Sequence, residues 1–106
     1  MNEPVAIPDD ICPVAKTALI ISGKWTLLII RDLATGAKRF TQLERSLRGI
    51  SPKTLSERLY TLEKEGIIQR TTFAEVPPRV EYTLTEKGSA LIGVIDCMRA
   101  YGREWL

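Results

Sequence analysis

A chain of 106 residues with 44% hydrophobic and 26% charged side chains is long enough for one hydrophobic core and too ordinary in composition for disorder. It contains no histidine, which excludes histidine-activated nucleophiles and histidine-containing metal sites. Its net charge of +2 is unevenly spread, with −2 in residues 1–22, +5 in residues 23–80 and −1 in residues 81–106, so the middle of the chain suits a polyanionic partner.

The first predicted element is a short helix from Asp10 to Ile21. Pro13 suits its first position, and Val14, Ala18 and Ile21 recur at i, i+4 and i+7. A second helix runs from about Lys24 to Ala34 between Gly23 and Gly36. Trp25, Leu27, Leu28, Ile29, Ile30 and Leu33 occupy nearly all of its sides, the pattern of a helix packed all round. In "RFTQLERSLRGI" the spacing of Thr41 and Glu44 predicts a capping box and a helix from Thr41 to Leu47. A connection of about three residues leads to "SPKTLSERLYTLEKEG". There Ser51 is the expected cap, Pro52 the first helical residue, and Ile50 the partner of Leu55 in a hydrophobic staple. Two helices so joined make a helix-turn-helix.

After Gly66, "IIQRTTF" and "RVEYTL" have strand character, and Val80, Tyr82 and Leu84 alternate onto one face. "AEVPP" between them is a hairpin loop, so the pair forms a wing behind the helix-turn-helix. Thr85 and Glu86 then open a last helix. Its stripe of Leu91, Val94, Ile95, Met98, Tyr101 and Trp105 is longer than so small a domain covers by itself, which predicts a dimer contact. The expected fold is therefore mainly α with a small β-hairpin wing, a single winged helix-turn-helix domain over residues 1–106 whose last helix makes the dimer contact.

On the "SPKTLSERL" helix, Leu55, Leu59 and Leu62 share one side while Lys53, Glu57, Tyr60, Thr61 and Lys64 collect opposite, with Thr54 and Arg58 on a flank. Hydroxyls and lysine can bond phosphates or bases, arginine forks onto guanine, and Glu57 can accept from cytosine. An amphipathic solvated helix would carry the same residue types. The preceding capped helix and the trailing hairpin favour a reader of the DNA major groove. Thr41 and Ser51, at helix starts, are candidate phosphate contacts, and Arg79 beside the double proline is the candidate wing-tip contact.

Four blocks in order, "CPV" at Cys12, "SGKWTLLIIRDL", "RFTQLERSLRGISPKTLSERLYTLEKEGII" and "VPPRVEYTLTEKG", resemble the HxlR family of bacterial winged-helix transcriptional regulators. The resemblance covers Cys12 to Trp105 and departs from the pattern where Ser22 replaces a common glycine. It implies a homodimer on double-stranded DNA at a pseudo-palindromic operator, with the "SPKTLSERL" helix as reader, the hairpin as wing and the N- and C-terminal helices forming the homodimer. In several members the cysteine of the "CPV" block senses oxidants or quinones, which makes Cys12 a redox-sensing candidate. Helix-start placement favours its thiolate, Asp9 and Asp10 oppose it, and a purely structural thiol stays open. Cys97 reads as a half-buried packing residue. No cofactor, metal or catalytic group is expected. No apolar run approaches a membrane span of roughly 20 residues, and the expected location is the cytoplasm. The rival reading is a winged helix used only for protein contact.

Overall fold

The computed structural model describes residues 12–106, so Asp9, Asp10 and the expected helix start at Asp10 lie outside the described residues. Its elements are α1 (Pro13–Ile21), α2 (Lys24–Leu33), α3 (Phe40–Ser46), α4 (Pro52–Lys64), β1 (Ile68–Phe73), β2 (Arg79–Leu84), a single turn α5 (Glu86–Ser89) and α6 (Ile92–Trp105). One core holds the middle of the chain together. Ile29, Ile30 and Leu33 of α2, Leu43 of α3, Leu55, Leu59 and Leu62 of α4, and Ile67 and Ile68 entering β1 form one buried cluster. Burial of each such side chain stabilises the fold by roughly 1.5–3 kcal/mol.

Local chemistry explains most boundaries. Gly23, Gly49 and Gly66 take φ of +89°, +92° and +76°, a region closed to most other residues, and each lies next to a helix boundary. Ser51 caps α4 by accepting from the Thr54 amide at 3.1 Å, and Pro52 follows in the first turn. Ile50 and Leu55 both join the core, as a hydrophobic staple requires. β1 and β2 pair antiparallel in the register Ile68 to Leu84, Arg70 to Tyr82 and Thr72 to Val80, so Val80, Tyr82 and Leu84 do share a face. A single antiparallel bridge from Lys38 to Tyr82 ties the α2–α3 connection to the hairpin.

Three expectations need correction. α3 begins at Phe40 with Arg39 as its cap, and the Arg39 amide donates to Gln42 Oε1 at 2.7 Å. The Thr41–Glu44 box therefore does not form, because the Lys38–Tyr82 bridge keeps the chain extended up to Arg39 and the helix starts directly after it. α2 is not packed all round: Lys24 and Arg31 are exposed, and Leu27 and Leu28 are half-buried beside Ile95 and Met98 of α6.

The last helix is broken in two. Thr85 Oγ1 donates across the carbonyls of Gly66 and Ile67 and accepts from the Gly88 amide at 3.1 Å, pinning α5 to the start of β1. At Gly88 the chain runs so close that a Cβ would overlap the Ile67 carbonyl oxygen. The Leu91 amide then bonds the Gly88 carbonyl, three residues back, and the Ile95 amide resumes the four-residue pattern from Leu91. This tightened turn separates the docked α5 from α6.

Candidate nucleic-acid interface

α4 is seated by Leu55, Leu59 and Leu62, which turns its far side to solvent. At about 100° per residue, the outermost positions are Lys53, Glu57, Tyr60 and Lys64, and all four are exposed. Lys64 Nζ stands 5.3 Å from the Tyr60 ring centroid. The helix therefore carries two cations, one acid and one aromatic hydroxyl toward any partner laid along it. Lys53 and Lys64 can meet phosphates, and Tyr60 can pack on sugar or a thymine methyl.

Other sequence-predicted residues have different surroundings. Ser51 and Thr54 are engaged in the cap: Ser51 Oγ donates to Thr54 Oγ1 at 2.9 Å. Thr61 Oγ1 donates to the Glu57 carbonyl at 3.0 Å, leaving its lone pairs open. Arg58 is exposed but faces sideways, into a cleft with Lys16 and Ile20 of α1 and Thr26 of α2. Thr41 is exposed in the first turn of α3.

Arg79 opens β2 as expected, yet its guanidinium is held by its neighbours. It lies 3.2 Å from Glu75, 3.6 Å from Glu81 and 4.1 Å above the Phe73 ring, with 29% of the side chain exposed. Two carboxylates and a ring make Arg79 a brace of the hairpin tip. The exposed cation of the hairpin is Arg70, which sequence reasoning passed over because "IIQRTTF" served only as a strand pattern. Arg39 and Arg48, flanking α3, are exposed as well. Their signal was the charge of the segment, not any motif.

A second surface has opposite chemistry. Val14 and Leu19 of α1 are 77% and 63% exposed, and Met98, Tyr101 and Trp105 of α6 are 47%, 60% and 70% exposed. No residue of either helix is buried. Leu91 and Ile95 pack against the core while the stripe beyond them runs into solvent. Val14, Ala18 and Ile21 line an apolar groove shared with Val94. Cys12 is the exposed cap residue of α1, and Cys97 is exposed on α6 instead of half-buried as its sequence position suggested. Among the described residues no single helix is long and apolar enough to cross a membrane, and no group of His, Cys, Asp and Glu could hold a metal ion.

The HxlR-like helix-turn-helix family matches residues 20–106. An HTH-type transcriptional regulator of Synechocystis sp., sll1512, is 43% identical over 91% of this chain and 71% of its own length. A transcriptional regulator of the MarR family from Porphyromonas gingivalis W83 superposes with a TM-score of 0.86 at 42% identity, over 96% of this chain and 100% of that one. The oxidised form of the redox regulator HypR does so with a TM-score of 0.83 at 36% identity, over 88% and 96%. A capped helix-turn-helix, a paired hairpin and a polar outer face on α4, matched along most of the chain by such relatives, favour a DNA-binding regulator over a protein-contact module. The chain belongs to the HxlR-like helix-turn-helix family of transcriptional regulators.

Proposed function

We propose that residues 1–106 act as a single domain that dimerises through α1 and α6 and lays one α4 from each protomer into the major groove of a pseudo-palindromic operator. The observation that carries this reading is the pairing of two uncovered faces in one small chain, a polar one on α4 and an apolar one on the terminal helices. Lys53 and Glu57 are the outward reading residues, beside Tyr60 and Lys64, with Arg58, Thr61 and Thr54 on the flank. Ser51 and Thr41 hold the backbone, and Arg79 braces the wing that Arg70 presents. Leu91, Val94, Ile95, Met98, Tyr101 and Trp105 form the contact between protomers. The chain acts by binding instead of catalysis, in the cytoplasm, and a repressor is the simplest outcome of occupying an operator.

Cys12 is the proposed redox input. Its thiol is exposed at the cap of α1, on the helix assigned to the dimer. Oxidation or alkylation there, including a disulfide between protomers, alters how the two α4 helices are spaced. HypR, a redox regulator of similar fold, lends this reading support.

The test is a gel shift on the DNA upstream of the protein's own and neighbouring genes at two salt concentrations, beside sedimentation at micromolar protein. A dimer whose DNA affinity falls with salt is expected, and diamide or a quinone alters the shift of wild type but not of Cys12→Ser. A monomer that still shifts a single half-site overturns the dimeric reading. Wild type that ignores both agents, with Cys12 unlabelled by a thiol reagent, makes Cys12 structural.

A further inference from the structure

α4 has a flank as well as an inner and an outer side. Lys53, Glu57, Tyr60 and Lys64 point outward, and Leu55, Leu59 and Leu62 point into the core. At about 100° per residue, Arg58 stands roughly 130° from the middle of the outward set. That flank forms one side of a cleft of about 390 Å³, and Lys16 and Ile20 of α1 line it as well. α1 also borders α6, because Val14, Ala18 and Ile21 share a groove with Val94.

Lys16 and Arg58 are both exposed, and neither has a salt bridge or side-chain hydrogen bond among the described residues. One acid, Glu65, lines the same cleft and is paired with neither of them. Two free cations therefore stand beside the outward face of α4 against a single carboxylate. A helix about 10–12 Å across fills a major groove about 12 Å wide and 8.5 Å deep. Its outward side chains then meet base edges, while those turned a right angle or more away meet the sugar-phosphate ridges that wall the groove.

We propose that the α1 side of α4 is a contact for the DNA backbone, in which Lys16 and Arg58 each hold a phosphate of the same ridge. Phosphates recur about every 3.4 Å of helix axis along each strand, so the two cations need not converge on one of them. The operator is then touched by a residue of α1, outside the helix-turn-helix and on a helix assigned to the dimer. This contact rests on the proposed placement of α4 in the major groove and adds α1 to it. Arg58, set back from the outward positions, serves the backbone in place of a base.

Fluorescence anisotropy of the full chain on an upstream DNA fragment that it shifts, repeated over a range of salt, tests the contact. Lys53→Ala reports on the groove placement itself. Lys16→Gln and Arg58→Gln should each lower the slope of log affinity against log salt by about one unit, on the fragment and on DNA of unrelated sequence alike. Lys16→Arg should keep the slope, as should Arg103→Gln, which removes an exposed charge from α6. Lys16→Gln should sediment as wild type does, so that its loss is not one of self-association. Uncharged methylphosphonates placed singly beside each half-site supply the position: one of them should weaken wild type and leave Lys16→Gln unaffected. An unchanged slope in Lys16→Gln, or methylphosphonates that cost it as much as wild type at every position, overturns the proposal. So does an Arg58→Gln loss confined to one base pair, the mark of a fork onto a base edge. If neither Lys53→Ala nor Lys16→Gln changes the slope, the groove placement falls as well; if only Lys53→Ala lowers it, the α1 contact alone falls.

Discussion

The outer face of α4 and the outer faces of α1 and α6 are both uncovered, and they differ in what water does to them. Lys53, Glu57, Tyr60 and Lys64 are solvated at little cost, so α4 is stable as it stands. Val14 of α1 and Met98, Tyr101 and Trp105 of α6 are apolar side chains left in water, which is unfavourable until something covers them. Exposure alone therefore does not identify a partner. The chemistry of the exposed face does, and under the proposed function it assigns a polyanion to the first and a second copy of the chain to the other.

The joint between the two regions gives the largest expected effect. Gly88→Ala places a Cβ against the Ile67 carbonyl, where backbone must move, and should destabilise the fold by about 3 kcal/mol or more. Denaturant unfolding measures it. A loss below about 1 kcal/mol would mean that α5 and the region beyond it can shift freely relative to the core.

Charging the apolar face should separate the two functions. Met98→Glu with Tyr101→Glu removes two side chains worth roughly 1.5–3 kcal/mol of burial each and should weaken self-association about a thousandfold. Sedimentation reads that loss, and circular dichroism should show a folded protomer. DNA affinity for two half-sites should fall with it, while any single half-site contact persists.

Changes on the polar face should do the reverse, leaving the sedimentation profile intact. Arg58→Ala should cost about 1–3 kcal/mol in operator binding if it forks onto a base. Lys53→Ala should lower the slope of log affinity against log salt by about one unit. Unchanged affinity and slope in both would remove α4 from the reading role. Arg79→Ala is expected to be the smallest: with two carboxylates on its guanidinium, DNA affinity should change by less than about 0.5 kcal/mol, while the hairpin loses part of its brace. A tenfold loss of DNA affinity would return Arg79 to the contact surface.

The amino-acid order determined what depends on neighbours within a turn or two. The Ser51 cap with Pro52, the Leu55–Leu59–Leu62 stripe and the strands around "AEVPP" were all legible, because caps, helical periodicity and turn residues act over a few positions. The terminal apolar stripe was legible for the same reason. Only tertiary structure decided the rest. Arg39 caps α3 in place of Thr41 because Lys38 is bridged to Tyr82, over forty positions along the chain. Gly88 and Thr85 split the last helix because they dock on Gly66 and Ile67, and Arg79 is drawn inward by Phe73, Glu75 and Glu81 across the hairpin. The cleft lined by Lys16 and Arg58 joins residues from three helices. No periodicity encodes it, since it exists only where distant segments converge.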